Sequence, residues 1–401
     1  MSYLHRALLN TLGFRSMNVH GVRRRSQRAL SFTDTSSRSR PYSSGPLRAI
    51  IFEQSGDPLK VLSARSFEPL PSPGQGEAQL RMRLAPINPS DINVIQGVYP
   101  AKPRARTDMG TPNPVFIPGN EGLGEVVKLG AGVVDLKVGD RVVMGASQTG
   151  TWSNYMNIKA DSLIPIGDKI SDVQGATLSI NPPTALLMLR HFVTLSPGEY
   201  VIQNGANSAV GQAVIQIAPK LGLKTINLVR ERPDIDQLKS YLVALGAHHV
   251  LTYDELGDRS IRETINHWTG GKPIRLGLNC VSGKDTTVMA RLLGNDAHLV
   301  SYGAMSKAPL SLPTSLFIFR NLTGHGFLLS KWFDQHSGHD RRSLVMELIS
   351  MMEQGALKEP ANEIVLLDGS DEIIQRQVHQ ALTNIEAGGY GKKVLLKFAG
   401  E

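Results

Sequence analysis

The chain has 401 residues, enough for two domains of ordinary size, each with its own core. Its formal charge of +8 sits almost wholly in residues 1–46, which hold eight arginines, no lysine and one acid, Asp34; the remainder carries 35 basic and 34 acidic side chains. A basic nucleic-acid footprint on the folded part is thus without support, no stretch reaches the roughly 18 apolar residues of a membrane span, and a single cysteine, Cys280, excludes an intramolecular disulfide.

The first 46 residues interleave arginine with serine (Arg6, Arg15, Arg23, Arg24, Arg25, Arg28, Arg38, Arg40) and lack the continuous apolar stretch of about 7–15 residues that a secretory signal needs. This is transit-peptide composition. Arg40-Pro41-Tyr42-Ser43-Ser44 resembles a site cut by the mitochondrial processing peptidase, so the expected location is the mitochondrial matrix. From Leu47 to about Lys159 the chain reads as short strands punctuated by Gly and Pro: Leu47–Phe52, Ala78–Leu84, Gly124–Leu129 and Asp140–Met144. Between Gly21 and Arg190 there is no histidine and no cysteine, so this half supplies neither the usual zinc ligands nor an imidazole to move protons. Asn88–Pro100, NPSDINVIQGVYP, reads as a turn-rich loop carrying one phenol, Tyr99, which becomes the leading polar catalyst.

Near Asn181-Pro182-Pro183-Thr184-Ala185 the texture changes to strands alternating with helical spacing. Strands are predicted at Tyr200–Gln203, Thr225–Val229, His249–Thr252, Leu276–Val281 and His298–Tyr302, and helices at Ala209–Leu221 and Pro233–Leu245, with Pro219 expected to tighten the last turn of its helix. This rhythm predicts an α/β fold with a doubly wound parallel sheet. Gly205-Ala206-Asn207-Ser208-Ala209-Val210-Gly211 lies between a strand and a helix, where backbone amides can hold a pyrophosphate. The following strand ends in Val229-Arg230-Glu231-Arg232. Arginine at that place accommodates the 2′-phosphate of NADP, where an NAD site has an acid. NADPH is the expected cofactor.

Other signals are weaker. Lys102, Arg104 and Arg106 read either as a phosphate-facing cluster or as a solvated loop. His336, His339 and Asp340 read as a polar surface loop, and Cys280 as a buried, inert core residue. Trp332 either borders a substrate pocket or packs in the core.

Ile87-Asn88-Pro89-Ser90-Asp91-Ile92-Asn93, Gln96-Gly97-Val98-Tyr99, Pro118-Gly119-Asn120-Glu121-Gly122, Val201-Ile202-Gln203-Asn204, Gly211–Ala218 and Val229–Ile235 together resemble the mitochondrial trans-2-enoyl thioester reductases. These form a zinc-free branch of the medium-chain dehydrogenase/reductase superfamily, and the resemblance runs from about Leu47 to Phe398. In zinc-bearing relatives a histidine follows the proline-glycine pair, whereas this chain has Asn120. The resemblance implies a Rossmann-type sheet inserted into a β-rich GroES-like catalytic domain. Expected boundaries are 1–46 for the transit peptide, 47–182 and 343–401 for the two parts of the catalytic domain, and 183–342 for the NADP-binding domain.

The resemblance also implies roles. Tyr99 would hydrogen-bond the thioester carbonyl and help deliver the proton, and Asn181 would contact the nicotinamide side. Asn207, Ser208, Ala209 and Val210 would line the phosphate loop, with Arg230, Glu231 and Arg232 at the 2′-phosphate end. Tyr302, Gly303, Ala304 and Met305, with Phe327, Leu328 and Leu329, would border the nicotinamide half. Lys392, or the adjacent Lys393, would close the cofactor site. The expected partners are an enoyl thioester on acyl carrier protein or coenzyme A and a second copy of the chain, with no nucleic acid, membrane span or metal. A zinc-free NADPH quinone oxidoreductase is the nearest alternative, and a nucleotide-binding regulatory or nucleic-acid-partner protein a more distant one.

Overall fold

The computed structural model describes residues 45–258, 260–387 and 392–399. The arginine-rich leader, with its expected cleavage site, lies outside the described residues. Two larger sheets organise the rest. Six strands, Tyr200–Asn204, Lys224–Val229, His249–Thr252, Leu276–Asn279, His298–Ser301 and Thr323–Gly326, form an all-parallel sheet. In space the strand His249–Thr252 lies at one edge, Thr323–Gly326 at the other, and Tyr200–Asn204 near the middle. The first three strands run outward from the middle toward one edge and the next three toward the other. That reversal is the topological switch point of a doubly wound fold, where ligands bind beyond the carboxyl ends of the strands.

The second sheet mixes chain ends. Glu77–Pro86 pairs antiparallel with Leu123–Leu129, which pairs with Arg141–Met144 and then Leu163–Pro165, while Tyr155–Lys159 also pairs with Glu77–Pro86. The C-terminal strands complete it: Lys393–Phe398 joins Glu77–Pro86 and carries the parallel strand Asn362–Leu367 outside it. The nucleotide-binding type of sheet therefore sits, in sequence, between two parts of a β-rich one. A separate pair, Leu47–Ile51 with Ser63–Phe67, packs at the N-terminal side.

The sheets share apolar packing. Leu84, Leu123 and Val143 of the mixed sheet belong to one buried cluster with Val201, Leu276, Leu278 and Val300 of the parallel sheet. The helices Asn181–His191 and Gly338–Glu353 fill the same cluster with Ala185, Leu186, Met188 and Leu189 on one and Leu344, Val345, Leu348 and Ile349 on the other. Close-packed interiors transmit position, so the start of the Asn181–His191 helix is registered to both sheets.

Local chemistry accounts for the departures from the sequence reading. The helix predicted over Ala209–Leu221 is α-helical to Ile217 and then tightens into a 3₁₀ turn over Ala218–Leu221, because Pro219 has no amide to donate. Asn88–Pro100 is not all turn: Pro89–Ile95 is a helix, with Asn88 as its cap and proline at the first turn, where a missing amide costs nothing. The expected loop at His336–Asp340 is likewise the start of a helix. Ser337 and Asp340 form a reciprocal capping box that opens Gly338–Glu353, and His336 stacks on Trp332 at 3.9 Å between ring centroids.

Candidate active site

Asn88 is where four segments meet. Its main-chain amide donates to Asp91 Oδ2 at 2.8 Å, closing the first turn of the Pro89–Ile95 helix. Its side-chain Nδ2 donates to Glu121 Oε1 at 2.9 Å, and the other oxygen of Glu121 accepts the amide of Ile180 at 3.1 Å, just before the helix that begins at Asn181. The Lys393 ammonium donates to Asn88 Oδ1, and Asn181 Nδ2 reaches the same oxygen at 3.5 Å. Asp91, Glu121 and Lys393 are all buried.

Burial sets the electrostatics. It pushes the Asp91 carboxyl up to about 7 against the opposing pull of the Asn88 amide and Lys393. Burial raises Glu121 as well, and it lowers Lys393, which the two carboxylates pull back upward. The helix ends at Gln96, Gly97 turns the chain at φ 77°, and Tyr99 follows half-buried. Burial first, and then the charge of Asp91, holds the Tyr99 phenol above its usual range. A protonated hydroxyl is thus available as a hydrogen-bond donor throughout the neutral range.

A zinc ion does not fit here. Asn120 stands after Pro118-Gly119, and its Oδ1 accepts the amide of Gln148 at 2.7 Å. Gln148 itself adopts a left-handed φ of 57°. Among the described residues no group of three His, Cys, Asp or Glu side chains is placed to hold a metal.

The dinucleotide side lies beyond the carboxyl ends of the parallel strands. Gly205, at φ 59°, follows the strand Tyr200–Asn204, and a Cβ there would lie 2.4 Å from Cys280 Sγ; one on Gly211 would lie 2.6 Å from the Ala206 oxygen. Glycine is therefore required for the loop to pass. Ser208 caps the helix Ala209–Ile217 by accepting the Gly211 amide at 3.1 Å, and Ala209 and Val210 occupy its first two positions, where a helix offers its amides no internal partner. These outward amides suit a phosphate. Tyr253 Oη accepts the Gly205 amide at 3.2 Å, and the charge of Arg230 reaches its phenol. Arg230 is exposed, and Arg232 lies 3.5 Å from Asp234. Side-chain bonds fix the strand ends beneath the loop: Asn204 Nδ2 donates to Asn279 Oδ1 at 2.9 Å, and Asn204 Oδ1 accepts the Cys280 amide at 2.8 Å.

Residues 74–168 match the alcohol dehydrogenase GroES-like domain family, and residues 209–349 the zinc-binding dehydrogenase family. The mitochondrial enoyl-[acyl-carrier-protein] reductase of Schizosaccharomyces pombe is 39% identical over 356 residues, covering 88% of this chain and 94% of that one. The chain belongs to the mitochondrial enoyl-[acyl-carrier-protein] reductase family. Its structure matches that of Etr1p in complex with NADP and crotonyl-CoA, with a TM-score of 0.83, 36% identity, and coverage of 88% of this chain and 100% of that one. The Etr1p/Etr2p heterodimer from Candida tropicalis matches with a TM-score of 0.82 at 36% identity, over the same 88% of this chain and 100% of its own.

Within this reductase fold, the residues singled out from sequence fall into two groups. Asn207, Ser208, Ala209 and Val210, then Arg230, Glu231 and Arg232, then Tyr302, Gly303, Ala304 and Met305, then Phe327, Leu328 and Leu329, all follow carboxyl ends of strands in the parallel sheet. Asn181 lies with the Asn88 cluster instead. Lys392 is exposed at the entry to the last strand, whereas its neighbour Lys393 is the buried lysine. Trp332 is half-buried in the helix Leu329–Gln335 and packs on the shared core. Arg106 is engaged by Asp108 at 2.7 and 2.8 Å, while Lys102 and Arg104 are exposed. Cys280 is buried, and burial pushes its thiol up, as expected of an inert core residue.

Sequence reasoning gave Asp91 and Glu121 no role and offered Lys393 only as an alternative to Lys392 at the cofactor, missing the buried cluster the three form with Asn88. An available signal was the spacing of Asn88 and Asp91 around Pro89, which marks a helix start. Substituting Gly205→Ala is expected to lower stability by about 1–3 kcal/mol through a strained φ and the Cys280 clash. Adding Cys280→Ala recovers part of the loss, read as Tm by circular dichroism; full stability of the single variant would contradict the close approach.

Proposed function

We propose that this chain reduces the trans-2 double bond of enoyl thioesters with NADPH, in the fatty acid synthesis of mitochondria. The observation that carries the reading is the site itself: the Tyr99 phenol, held protonated one turn beyond a buried polar cluster, with no set of three metal-ligating side chains among the described residues. NADPH, when bound, supplies a hydride. The substrate then needs a donor at the thioester oxygen as negative charge develops there, and a proton at the α carbon. The Tyr99 hydroxyl suits the first task, because a preorganised donor in a water-poor site stabilises developing charge, and it can relay the proton for the second. Asn181 orients the nicotinamide side, and the amides of Ala209 and Val210 with Asn207 and Ser208 face the pyrophosphate. Arg230 and Arg232 take the 2′-phosphate, with Glu231 in the same turn. Tyr302–Met305 and Phe327–Leu329 border the nicotinamide half, Lys392 closes over the cofactor, and Trp332 borders the acyl chain. The catalytic domain comprises 47–182 and 343–401, with 183–342 as the cofactor domain. The acyl carrier is acyl carrier protein or coenzyme A.

The partner is a second copy of the chain. The strand Thr323–Gly326 leaves one edge of the parallel sheet unpaired, and the preceding helix Thr314–Arg320 exposes Ile318 (68 %) and Phe319 (79 %) beside Phe317. An open edge flanked by exposed apolar side chains invites pairing. Phe319→Asp is expected to shift the protein toward monomer in sedimentation velocity; a wild type that sediments as a monomer contradicts this.

The direct test of function compares NADPH oxidation with crotonyl-CoA and with a quinone. Turnover of crotonyl-CoA is expected, with Tyr99→Phe slowing kcat by about 10²–10³-fold at unchanged NADPH affinity. The pair Arg230→Ala and Arg232→Ala should erode the preference for NADPH over NADH by roughly tenfold or more. Turnover of the quinone alone would overturn the reading.

A further inference from the structure

The catalytic cluster contains a buried cation that the hydride and proton steps do not call upon. Lys393 is the first residue of the last strand, is only 9 % exposed, and donates to Asn88 Oδ1. Taking an ammonium out of water is costly, and a well-packed apolar side chain of similar volume is often no less stabilising at such a place. The placement of this charge is specific. The residue after it, Val394, accepts the amide of Ile87 at 2.9 Å, so main chain and side chain together clamp the segment entering Asn88. The Lys393 amide in turn donates to Ala361 at 2.7 Å, fixing the strand on its other side.

We propose that Lys393 is a positioning residue for the reduction: its ammonium, bonded to Asn88 and facing the charges of Asp91 and Glu121, holds the helix start that leads to Tyr99 and the helix start that carries Asn181. The proposal rests on the enoyl reductase reading of the same site. The physical reason is charge balance. Two buried carboxylates that share Asn88 repel each other, and each accepts a main-chain amide, Asp91 from Asn88 and Glu121 from Ile180. One cation whose charge reaches both lets both remain acceptors. Without it, one carboxylate must take up a proton or draw in water, and the hydrogen bonds that fix Asn88 and Ile180 rearrange together.

The ionisable groups facing Lys393 are Asp91 from the helix Pro89–Ile95 and Glu121 from the segment before Leu123–Leu129. The neighbouring strand Asn362–Leu367 puts Asn362 opposite Lys393, followed by the exposed Glu363; Glu77–Pro86 pairs through Ala85 and Pro86, which do not ionise.

The test uses the purified enzyme with NADPH and crotonyl-CoA and three variants: Lys393→Met, Asp91→Asn, and both together. Lys393→Met is expected to lower kcat roughly tenfold or more while KM for NADPH changes by less than about threefold, the pattern of lost transition-state positioning. In the wild type, turnover falls on the acid side as Asp91 takes up its proton; loss of the ammonium raises that carboxyl further, so this limb moves to higher pH. The double variant restores the wild-type net charge of the cluster and is expected to regain at least about threefold in kcat over Lys393→Met, a coupling that a double-mutant cycle reads directly. A Lys393→Met enzyme with wild-type kcat and pH profile overturns the proposal. So does a slow one with an unmoved acid limb and no recovery in the double variant, the behaviour of a lysine that only fills space. Should Lys393→Met not fold, a folded and active double variant supports the charge-balance argument, and a double variant that also fails to fold overturns it. A wild type active only on a quinone removes the reductase reading instead, and the same variants are then compared on the quinone reaction.

Discussion

Three buried charges converging on one asparagine, two on its side chain and one on its main-chain amide, are the constraint on which this site depends. Asn88 offers Nδ2 to Glu121 and Oδ1 to Lys393 and Asn181, and its main chain is tied to Asp91. An arrangement of this kind tolerates little change, because removing one partner of a buried ionic group leaves the other uncompensated at a cost of about 3–5 kcal/mol. The same property makes it useful. Pieces of chain that are far apart in sequence are held at one point by directional bonds, and the phenol of Tyr99 follows one short helix and one glycine turn away.

The second element is the shared apolar core. The helix Asn181–His191 starts in the polar cluster and then buries Ala185, Leu186, Met188 and Leu189 against both sheets. The strand whose carboxyl end carries the loop Gly205–Ser208 therefore stands in a fixed relation to the segment that carries Asn88 and Asn181. Within the parallel sheet the same logic recurs in polar form, where Asn204, Asn279 and Thr286 tie adjacent strand ends together beneath Gly205. A hydride donor and its acceptor must meet within a few tenths of an ångström of the productive geometry, and both cores serve that requirement.

Much of this was legible in the sequence, and the reasons are local. The parallel sheet announced itself through period and punctuation: His249–Thr252 was placed with its observed bounds, and the effect of Pro219 followed from its missing amide. The tight strand-to-helix turn was legible from its glycines, and Gly205 and Gly211 both prove intolerant of a Cβ. The helix Pro89–Ile95 was obscured because asparagine, proline and serine signal turns as strongly as helix starts, and only the reciprocal Asn88–Asp91 bond distinguishes them. The burial of Asp91, Glu121 and Lys393 was not legible for a deeper reason. Charged residues are presumed exposed, and their burial depends on partners some 30 to 300 positions away that no local pattern announces.

The central claim is that these charges are dry and share one site. The most direct measurement is the infrared titration of the carboxyl band that Asp91→Asn removes. Burial beside Glu121 and Lys393 predicts a protonated-carboxyl signal that disappears with a midpoint near about 7. A midpoint in the ordinary aspartate range, near 4, would mean that water reaches the cluster, and would contradict the account.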